Sequence, residues 1–246
     1  MTQPPLLQCT GVVKAFGGLV ALNRAGLTVN RGEIVGLVGP NGSGKTTMIN
    51  VISGQIRPDA GQIVFDGQEI TGLKPSKLAH LGLARTFQIP RPFASRSVLE
   101  NVALAAMFGS KHSTRAEAEA LALKYLDFVG MTAKAYLPIS AVTLHDRKFL
   151  EIARALALEP RLLMLDEVLA GLNPAEVIQG IGLIQRIRDL DIAVLFVEHN
   201  MTAVHELCSR VVVFDQGAPI AEGVPQDVMR DSRVVKAYLG DDYAHR

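Results

Sequence analysis

Gly39-Pro40-Asn41-Gly42-Ser43-Gly44-Lys45-Thr46-Thr47 is a stretch of the form Gly-x-x-x-x-Gly-Lys-Thr, and the fold can be worked out from it. The apolar run before it, residues 34–38, has the length of one buried strand. After it, residues 48–53 place apolar side chains on one helical face, and Gly54 follows as a helix stop. A strand, a glycine-rich turn and a helix in this order indicate a phosphate-binding loop. An ordinary glycine-rich turn is the alternative, and the flanking elements argue against it.

Each part of this loop has a chemical task. Glycines let backbone N–H groups approach phosphate oxygens, because no Cβ atom stands in the way. The start of the helix adds unpaired N–H groups and the positive end of its dipole. We expect Lys45 to reach the β- and γ-phosphates and the Thr46 hydroxyl to bind Mg²⁺. The loop from Gly39 to Thr47 is therefore predicted to bind a nucleotide.

Composition limits the class of protein. The chain has 246 residues, 48% hydrophobic and 20% charged, so it can bury a core and does not have a disordered composition. A net charge of +1 gives no electrostatic argument for nucleic acid as a partner. Cys9 and Cys208 lie far apart without metal-ligand spacing, which favours two free thiols. No signal peptide or apolar run of about 18 residues is recognised, so we expect a soluble, cytosolic protein.

The first third of the chain is predicted to combine antiparallel strands with the strand–loop–helix core. Strands are expected over residues 6–13, 26–29 and 33–38, with a loop at 14–19 that exposes Phe16. Asp66-Gly67 separates two short strand-like runs and is a strong signal for a two-residue hairpin.

Residues 87–159 are expected to form a loop followed by a helical subdomain inserted into the sheet domain. Prolines break the segment 85–93. Two capping boxes, which begin at Ser97 and Thr143, open helices over about 98–107 and 144–158. A polar break at 110–113 precedes a helix over 116–129, which Gly130 ends.

The α/β pattern resumes near residue 160. Apolar strands at 161–165 and 192–197 end in Asp166-Glu167 and Glu198-His199, and a capped helix over 174–188 lies between them. A helix at 201–208, a strand pair around 216–217 and two short helices follow, and Gly240 stops the second. We therefore predict one domain, 1–246, in which 1–86 and 160–246 form the catalytic core and 87–159 the inserted part.

Acidic residues at a strand end are what a nucleotide hydrolase needs opposite its phosphate loop. We expect Asp166 in the Mg²⁺ shell and Glu167 as the carboxylate that polarises water for attack on the γ-phosphate. His199 can hydrogen-bond that phosphate and hold the water. Gln88 can join the Mg²⁺ shell, although a loop glutamine is normally only solvated. A solvated acidic loop and a structural histidine are the plain alternatives, and the phosphate loop argues against the former.

Together these residues resemble the ATP-binding subunits of ABC transporters over nearly the whole chain. The resemblance implies that Gly39–Thr47 is the Walker A loop, Gln88 the Q-loop glutamine, and Asp166 and Glu167 the Walker B pair. It makes His199 the switch histidine and Phe16 the aromatic that stacks on adenine. The fold it implies is a RecA-like α/β core with an N-terminal antiparallel β-subdomain and a helical subdomain. The activity it implies is ATP hydrolysis, with Mg²⁺, coupled to transmembrane solute transport.

Several segments look like the ATPase subunits of branched-chain amino acid importers: 82–88, 170–174, 197–201, 221–223 and 237–240. ATPases of urea and lipopolysaccharide transport share parts of them and stay alternatives. The family signature, Leu-Ser-Gly-Gly-Gln, falls on Val142-Thr143-Leu144-His145-Asp146. Only Thr143, which stands at the serine position, keeps the chemical type of the family residue, because it also carries a hydroxyl group. Because this segment contacts the ATP held by the opposite subunit in the family, the change predicts a heterodimer with unequal sites. A relaxed signature with two active sites is the alternative.

The resemblance also implies partners and a location. A second ATP-binding subunit, a paralogue rather than a copy of this chain, is expected, with two permease subunits docking near Gln88. A periplasmic or extracellular solute-binding protein would act indirectly, and the chain would sit peripherally on the cytoplasmic face of the inner membrane. A soluble ABC ATPase acting on nucleic acid or ribosomes is a competing class, which usually has two cassettes or a long coiled coil. A non-catalytic regulator would lack Glu167 or His199.

Overall fold

The computed structural model describes residues 4–109 and 114–239. The predicted break at 110–113 and the predicted helix stop Gly240 lie outside these residues. The strands are β1 (Leu7–Phe16), β2 (Leu19–Val29), β3 (Ile34–Val38), β4 (Ala60–Phe65), β5 (Gln68–Glu69), β6 (Leu83–Arg85), β7 (Leu162–Asp166), β8 (Ala193–Val197), β9 (Arg210–Asp215) and β10 (Ala218–Gly223). The helices are α1 (Lys45–Ile52), α2 (Pro75–His80), α3 (Val98–Gly109), α4 (Arg115–Phe128), α5 (Leu144–Leu156), α6 (Pro174–Arg188), α7 (Met201–Leu207), α8 (Pro225–Val228) and α9 (Ser232–Leu239).

Two sheets organise the chain. The larger has the strand order β10-β9-β3-β8-β7-β6, and its neighbours are parallel except for the β9–β10 pair. The smaller is antiparallel, with the order β2-β1-β4-β5. Because β3, β8 and β7 are adjacent and parallel, the segments that follow them meet at one sheet edge. The predicted α/β core and N-terminal antiparallel β-subdomain are confirmed.

The larger sheet is buried on both faces, which explains its continuous apolar strands. Alternate side chains go to opposite sides, as the period of a strand requires. Leu163 and Leu165 of β7 pack with the helical part of the chain, whereas Leu162 and Met164 pack with the antiparallel sheet and α1.

The described residues between β6 and β7 supply the helical part. Ser97 and Glu100 form the predicted capping box at the start of α3, and Thr143 and Asp146 form the one at the start of α5. A third box, Thr114 with Glu117, opens α4 and was not predicted. No helix in the described part of the chain combines the length and apolar character that a bilayer crossing needs.

The structure differs from expectation in the first hairpin. Residues 14–19, predicted as a loop, continue β1 and β2 and leave only Gly17-Gly18 as the turn, where Phe16 pairs with Leu19. Backbone pairing between β1 and β2 extends both strands to this turn, although the side chains at these strand ends are largely exposed. Strand β6 and helix α2 were not predicted, because both are too short to show a periodic pattern.

Candidate nucleotide-binding and hydrolysis site

The glycine-rich loop connects β3 to α1, and its shape depends on particular glycines. Gly39 has φ +146°, and a Cβ atom there would lie 2.1 Å from the Phe214 carbonyl oxygen, inside contact distance. Gly42 has φ +78° and faces open space, so its backbone can be approached closely. The loop is tied to its neighbours by backbone hydrogen bonds, from Gly217 N–H to Ser43 O and from Asn23 N–H to Gly217 O. The antiparallel sheet thus supports the loop through the β9–β10 turn.

Lys45 folds back over this loop. Its Nζ atom donates to the carbonyl oxygens of Gly39 (2.7 Å) and Pro40 (2.9 Å). Burial lowers the pKa of Lys45, and the nearby Glu167 and Asp166 carboxylates oppose that shift. The ammonium group therefore stands at the loop and faces two acids.

A cavity of about 640 Å³ lies over the loop, a size suited to a small-molecule ligand. Phe16 is at its rim, about half exposed, with Lys14 Nζ 5.4 Å from its ring centroid. Phe16 projects from the first hairpin, so the antiparallel sheet brings it to the loop. The lining consists of hairpin residues, loop residues and two strand-end residues: Phe16, Leu19, Val20, Ala21, Asn41, Gly42, Ser43, Gly44, Lys45, Thr46, Thr47, Glu167, His199 and Gln216.

Glu167 occupies a strained position at the end of β7. Its φ is +48°, in the left-handed region that non-glycine residues seldom adopt. Its N–H donates to Val197 O at 2.9 Å, which anchors the turn to β8. Its carboxylate accepts from Gln88 Nε2 on one oxygen and lies 3.1 Å from His199 Nε2 on the other. The structure therefore brings together three predicted site residues, Gln88, Glu167 and His199. Gln88 was predicted to join Thr46 in the Mg²⁺ shell, and here its side chain contacts Glu167 instead.

Asp166 has a buried ion-pair partner that sequence reasoning missed. Arg85 Nη2 donates to Asp166 Oδ2 at 2.8 Å, and both side chains are less than a tenth exposed. Arg85 also donates to Asn50 Oδ1 (2.6 Å) and to Ser53 Oγ (3.1 Å) on α1. One guanidinium thus joins the strand end that carries Asp166 to the helix that follows the loop. The available sequence signal for Arg85 was its position, directly after two apolar residues of a short strand and three positions before Gln88.

The segment Thr143–Asp146 lies at the start of α5 and does not line this cavity. Asp146 completes the capping box and accepts from Lys134 Nζ at 2.6 Å, so its charge is partnered. Its side chain turns back on its own helix, as the predicted capping box requires. The His145 ring packs on Phe149, with centroids 4.2 Å apart, while Leu144 is about half exposed. The exposed side chain at the start of α5 is therefore that of Leu144, the first residue of the helix.

Two further buried charges adjoin Glu167 and were also missed. Lys148 on α5 donates from Nζ to Glu167 O (3.1 Å) and Val168 O (3.2 Å). Glu198 accepts from the N–H groups of Leu169 (2.8 Å) and His199 (3.3 Å). A lysine on the apolar face of a helix, three residues before Glu151 and one before Phe149, was the sequence signal.

The family profile described as "ABC transporter" matches residues 22–170. A second, described as "Branched-chain amino acid ATP-binding cassette transporter", matches residues 218–244.

Curated relatives match along nearly the whole chain. The chain is 38% identical over 251 aligned residues to "High-affinity branched-chain amino acid transport ATP-binding protein BraF" of Pseudomonas aeruginosa, covering 96% of this chain and 98% of that protein. The identity and both coverages are the same for the LivG protein of Escherichia coli strain K12, which carries the corresponding description. Among solved structures, an ATP-binding cassette of an ABC transporter in its ADP conformation superposes with a TM-score of 0.86 at 30% identity, covering 97% of this chain and all of that one.

Proposed function

The chain belongs to the ABC transporter family, and from this premise we propose that it is the ATP-hydrolysing subunit of a branched-chain amino acid importer. The observation that carries the proposal is the cavity that holds the glycine-rich loop, Phe16, Glu167 and His199 together. A phosphate-binding loop alone would support any nucleotide-binding protein, whereas a carboxylate and an imidazole facing it supply the parts of a hydrolase.

ATP is bound by the loop and by Phe16. The loop residues from Gly39 to Thr47 wrap the phosphates with backbone N–H groups, and Lys45 exchanges its two carbonyl acceptors for β- and γ-phosphate oxygens. Phe16 stacks on adenine, because its ring stands at the rim of the same cavity and is accessible. The solved relative in its ADP conformation supports nucleotide binding by this fold.

The donor set also fits Mg²⁺. Thr46 lines the cavity, so its hydroxyl can bind the ion. One carboxylate oxygen of Asp166 accepts a hydrogen bond from Arg85, and its other oxygen can bind the ion or a water molecule of its shell. Gln88 completes the set if it leaves Glu167. Mg²⁺ is usually held by one or two carboxylates together with substrate phosphates, so the Asp166 carboxylate and the phosphates of bound ATP would supply its charged ligands. When bound, the ion neutralises charge on the phosphates.

Hydrolysis depends on Glu167 and His199. Glu167 orients and polarises the attacking water, and its left-handed backbone turns the carboxylate towards the loop. His199 contacts the same carboxylate and can donate to the γ-phosphate from the other side. Gln88 links Glu167 to the proline-broken loop, where two permease subunits would dock. Exposed Ile89 and Phe93 in that loop suit an apolar coupling helix. That docking would hold the chain peripherally on the cytoplasmic face of the membrane.

The solute class rests on the C-terminal family match and on the relatives. Residues 218–244 match the branched-chain amino acid profile, and the BraF and LivG proteins carry that description. Urea or lipopolysaccharide transport is the competing assignment. A strain that lacks this chain should lose uptake of labelled leucine, and unlabelled isoleucine should compete for the restored uptake while urea should not. Normal leucine uptake in that strain would reject the solute assignment.

The dimer is proposed to pair this chain with a paralogue. Thr143 keeps a hydroxyl proton for a phosphate while its oxygen caps Asp146 N–H. The Asp146 charge is partnered, so the obstacle to a close phosphate approach is the bulk of Leu144 and His145 where the family has small residues. The site that this segment serves on the partner should therefore turn over slowly.

The experiment measures phosphate release with Mg-ATP from this chain alone, from a candidate paralogous ATPase alone, and from a mixture of the two. Activity that appears only in the mixture supports unequal sites. Full activity of the purified single chain refutes them and supports a relaxed signature. A lack of activity in every sample, with permeases present, would reject the hydrolase assignment.

A further inference from the structure

Glu167 acts from a backbone conformation that has to be held in place. A non-glycine residue at positive φ is strained and persists where its surroundings fix it. The N–H of Glu167 is held by Val197 O, and its carbonyl oxygen accepts from Ala170 N–H at 3.2 Å. These bonds secure the residue, but the Val168 carbonyl oxygen and the Leu169 N–H are bound by side chains.

Two buried charged residues do this from opposite sides. Lys148, 5% exposed, donates to the carbonyl oxygens of Glu167 and Val168. Glu198, 3% exposed, accepts from the N–H groups of Leu169 and His199. The turn of residues 167–169 is thus bound on its carbonyl side by an ammonium group and on its N–H side by a carboxylate.

The electrostatics agree with this geometry. Burial lowers the pKa of Lys148, and Glu198 and Glu167 oppose the shift. Burial raises the pKa of Glu198, while the Leu169 and His199 N–H groups and Lys148 oppose that shift. Neither charge is solvated, so each depends on the backbone groups of this turn for its polar partners.

We infer that Lys148 and Glu198 are positioning residues that hold Glu167 and His199 in their reactive geometry. The inference rests on the proposed function, because it concerns residues that act through Glu167. Lys148 belongs to α5, the helix whose first turn carries the segment Thr143–Asp146. A displacement of α5 caused by nucleotide at the opposite site would therefore be transmitted through Lys148 to this chain's own Glu167.

The test is steady-state ATPase kinetics of the dimer that contains this chain. Lys148→Met removes both hydrogen bonds at nearly equal length. It should lower kcat by about 10- to 100-fold, the size expected when a reacting group is misplaced by about 1 Å. The KM for ATP should change less than about threefold, since Lys148 does not line the nucleotide cavity. Arg147→Met is the matched control: the neighbouring basic residue of α5 donates to Ile139 O at 3.2 Å, away from the turn.

A double mutant separates positioning from general structural damage. In a Glu167→Gln background, Lys148→Met should have no further effect on the residual rate, because the group it positions is gone. The positioning role would be overturned if the losses of kcat multiply in the double mutant, or if Lys148→Met and Arg147→Met lose equal activity. Either result would leave the proposed hydrolysis mechanism intact. Normal activity of Glu167→Gln itself would overturn the proposed mechanism together with this inference. If Lys148→Met does not fold, Glu198→Gln tests the same turn from its N–H side, and full activity of that variant would refute the inference.

Discussion

Arg85→Met offers a quantitative test of how the site is held together. The substitution keeps an unbranched apolar stem but removes the partner of Asp166 and the donor to Asn50 and Ser53. Arg85 and Asp166 are 8% and 6% exposed at the side chain, so water does not replace the lost contact. Breaking a buried pair by removing one member costs about 3–5 kcal/mol, because the remaining charge is left uncompensated.

The measurement is urea unfolding of the purified chain, wild type against Arg85→Met, followed at equilibrium. We expect a loss of about 3–5 kcal/mol in the free energy of unfolding. Asp166→Asn combined with Arg85→Met should be less damaging than the sum of the single changes, with a coupling of about 0.5–3 kcal/mol. Arg188→Met, which removes a similar but half-exposed pair with Asp189, is the matched control and should cost less than about 1 kcal/mol.

A loss below about 1 kcal/mol for Arg85→Met would show that the pair does not hold the strand end to α1, and the reasoning would be wrong. The nucleotide site supplies a second readout. If Arg85 orients Asp166, the benefit of Mg²⁺ for ATP affinity should shrink in the variant, while affinity without Mg²⁺ should change little. An unaltered Mg²⁺ dependence in a folded variant would confine Arg85 to a structural role.

Three other predictions follow from the site. Glu167→Gln should lower the ATPase rate about 100-fold or more while ATP binding, measured by calorimetry, persists; near-normal turnover would contradict the role of Glu167. Lys45→Ala should weaken ATP binding more than Phe16→Ala, which should cost about 1–2 kcal/mol of binding free energy, and an unchanged Phe16→Ala would mean that another residue holds adenine. Burial would raise the pKa of Asp146, but the bonds from Lys134 and from the N-cap outweigh it and hold the pKa below its usual value. Its stabilising contribution is therefore complete above the unfolded-state pKa and is lost as pH falls through the folded-state pKa, so the stability deficit of Asp146→Asn in urea unfolding should shrink between about pH 7 and about pH 2.

Local signals explain how much of the fold was predictable. The loop Gly39–Thr47, the capping boxes at Ser97 and Thr143 and the Asp66-Gly67 hairpin each depend on residues a few positions apart. Such patterns survive in any tertiary context that buries the apolar face. The first hairpin did not follow this logic, because its strand ends are held by cross-strand backbone pairing rather than by an apolar pattern.

The site also contains residues that could be predicted from the sequence and residues that could not. Asp166, Glu167 and His199 were proposed because their residue types match known chemistry at strand ends, whereas Phe16 was proposed from the family resemblance. Their supporting residues depend on contacts between distant segments: Arg85 and Asp166 are 81 positions apart, and Lys148 and Val168 are 20 apart. The local signals around Arg85 and Lys148 do not show their distant partners, so the sequence alone did not identify these residues as part of the site.

Helix α5 connects the two halves of the functional proposal. Its first turn departs from the family pattern at Leu144 and His145, and we propose that this departure weakens the contact with nucleotide on the opposite subunit. Its next turn carries Lys148, which holds the backbone of this chain's own Glu167. The altered side chains lie in the first turn of α5, whereas Lys148 is buried in the next turn. In the proposed heterodimer the first turn acts on the partner's site and Lys148 acts on this chain's own site, and a dimer with unequal sites requires that asymmetry.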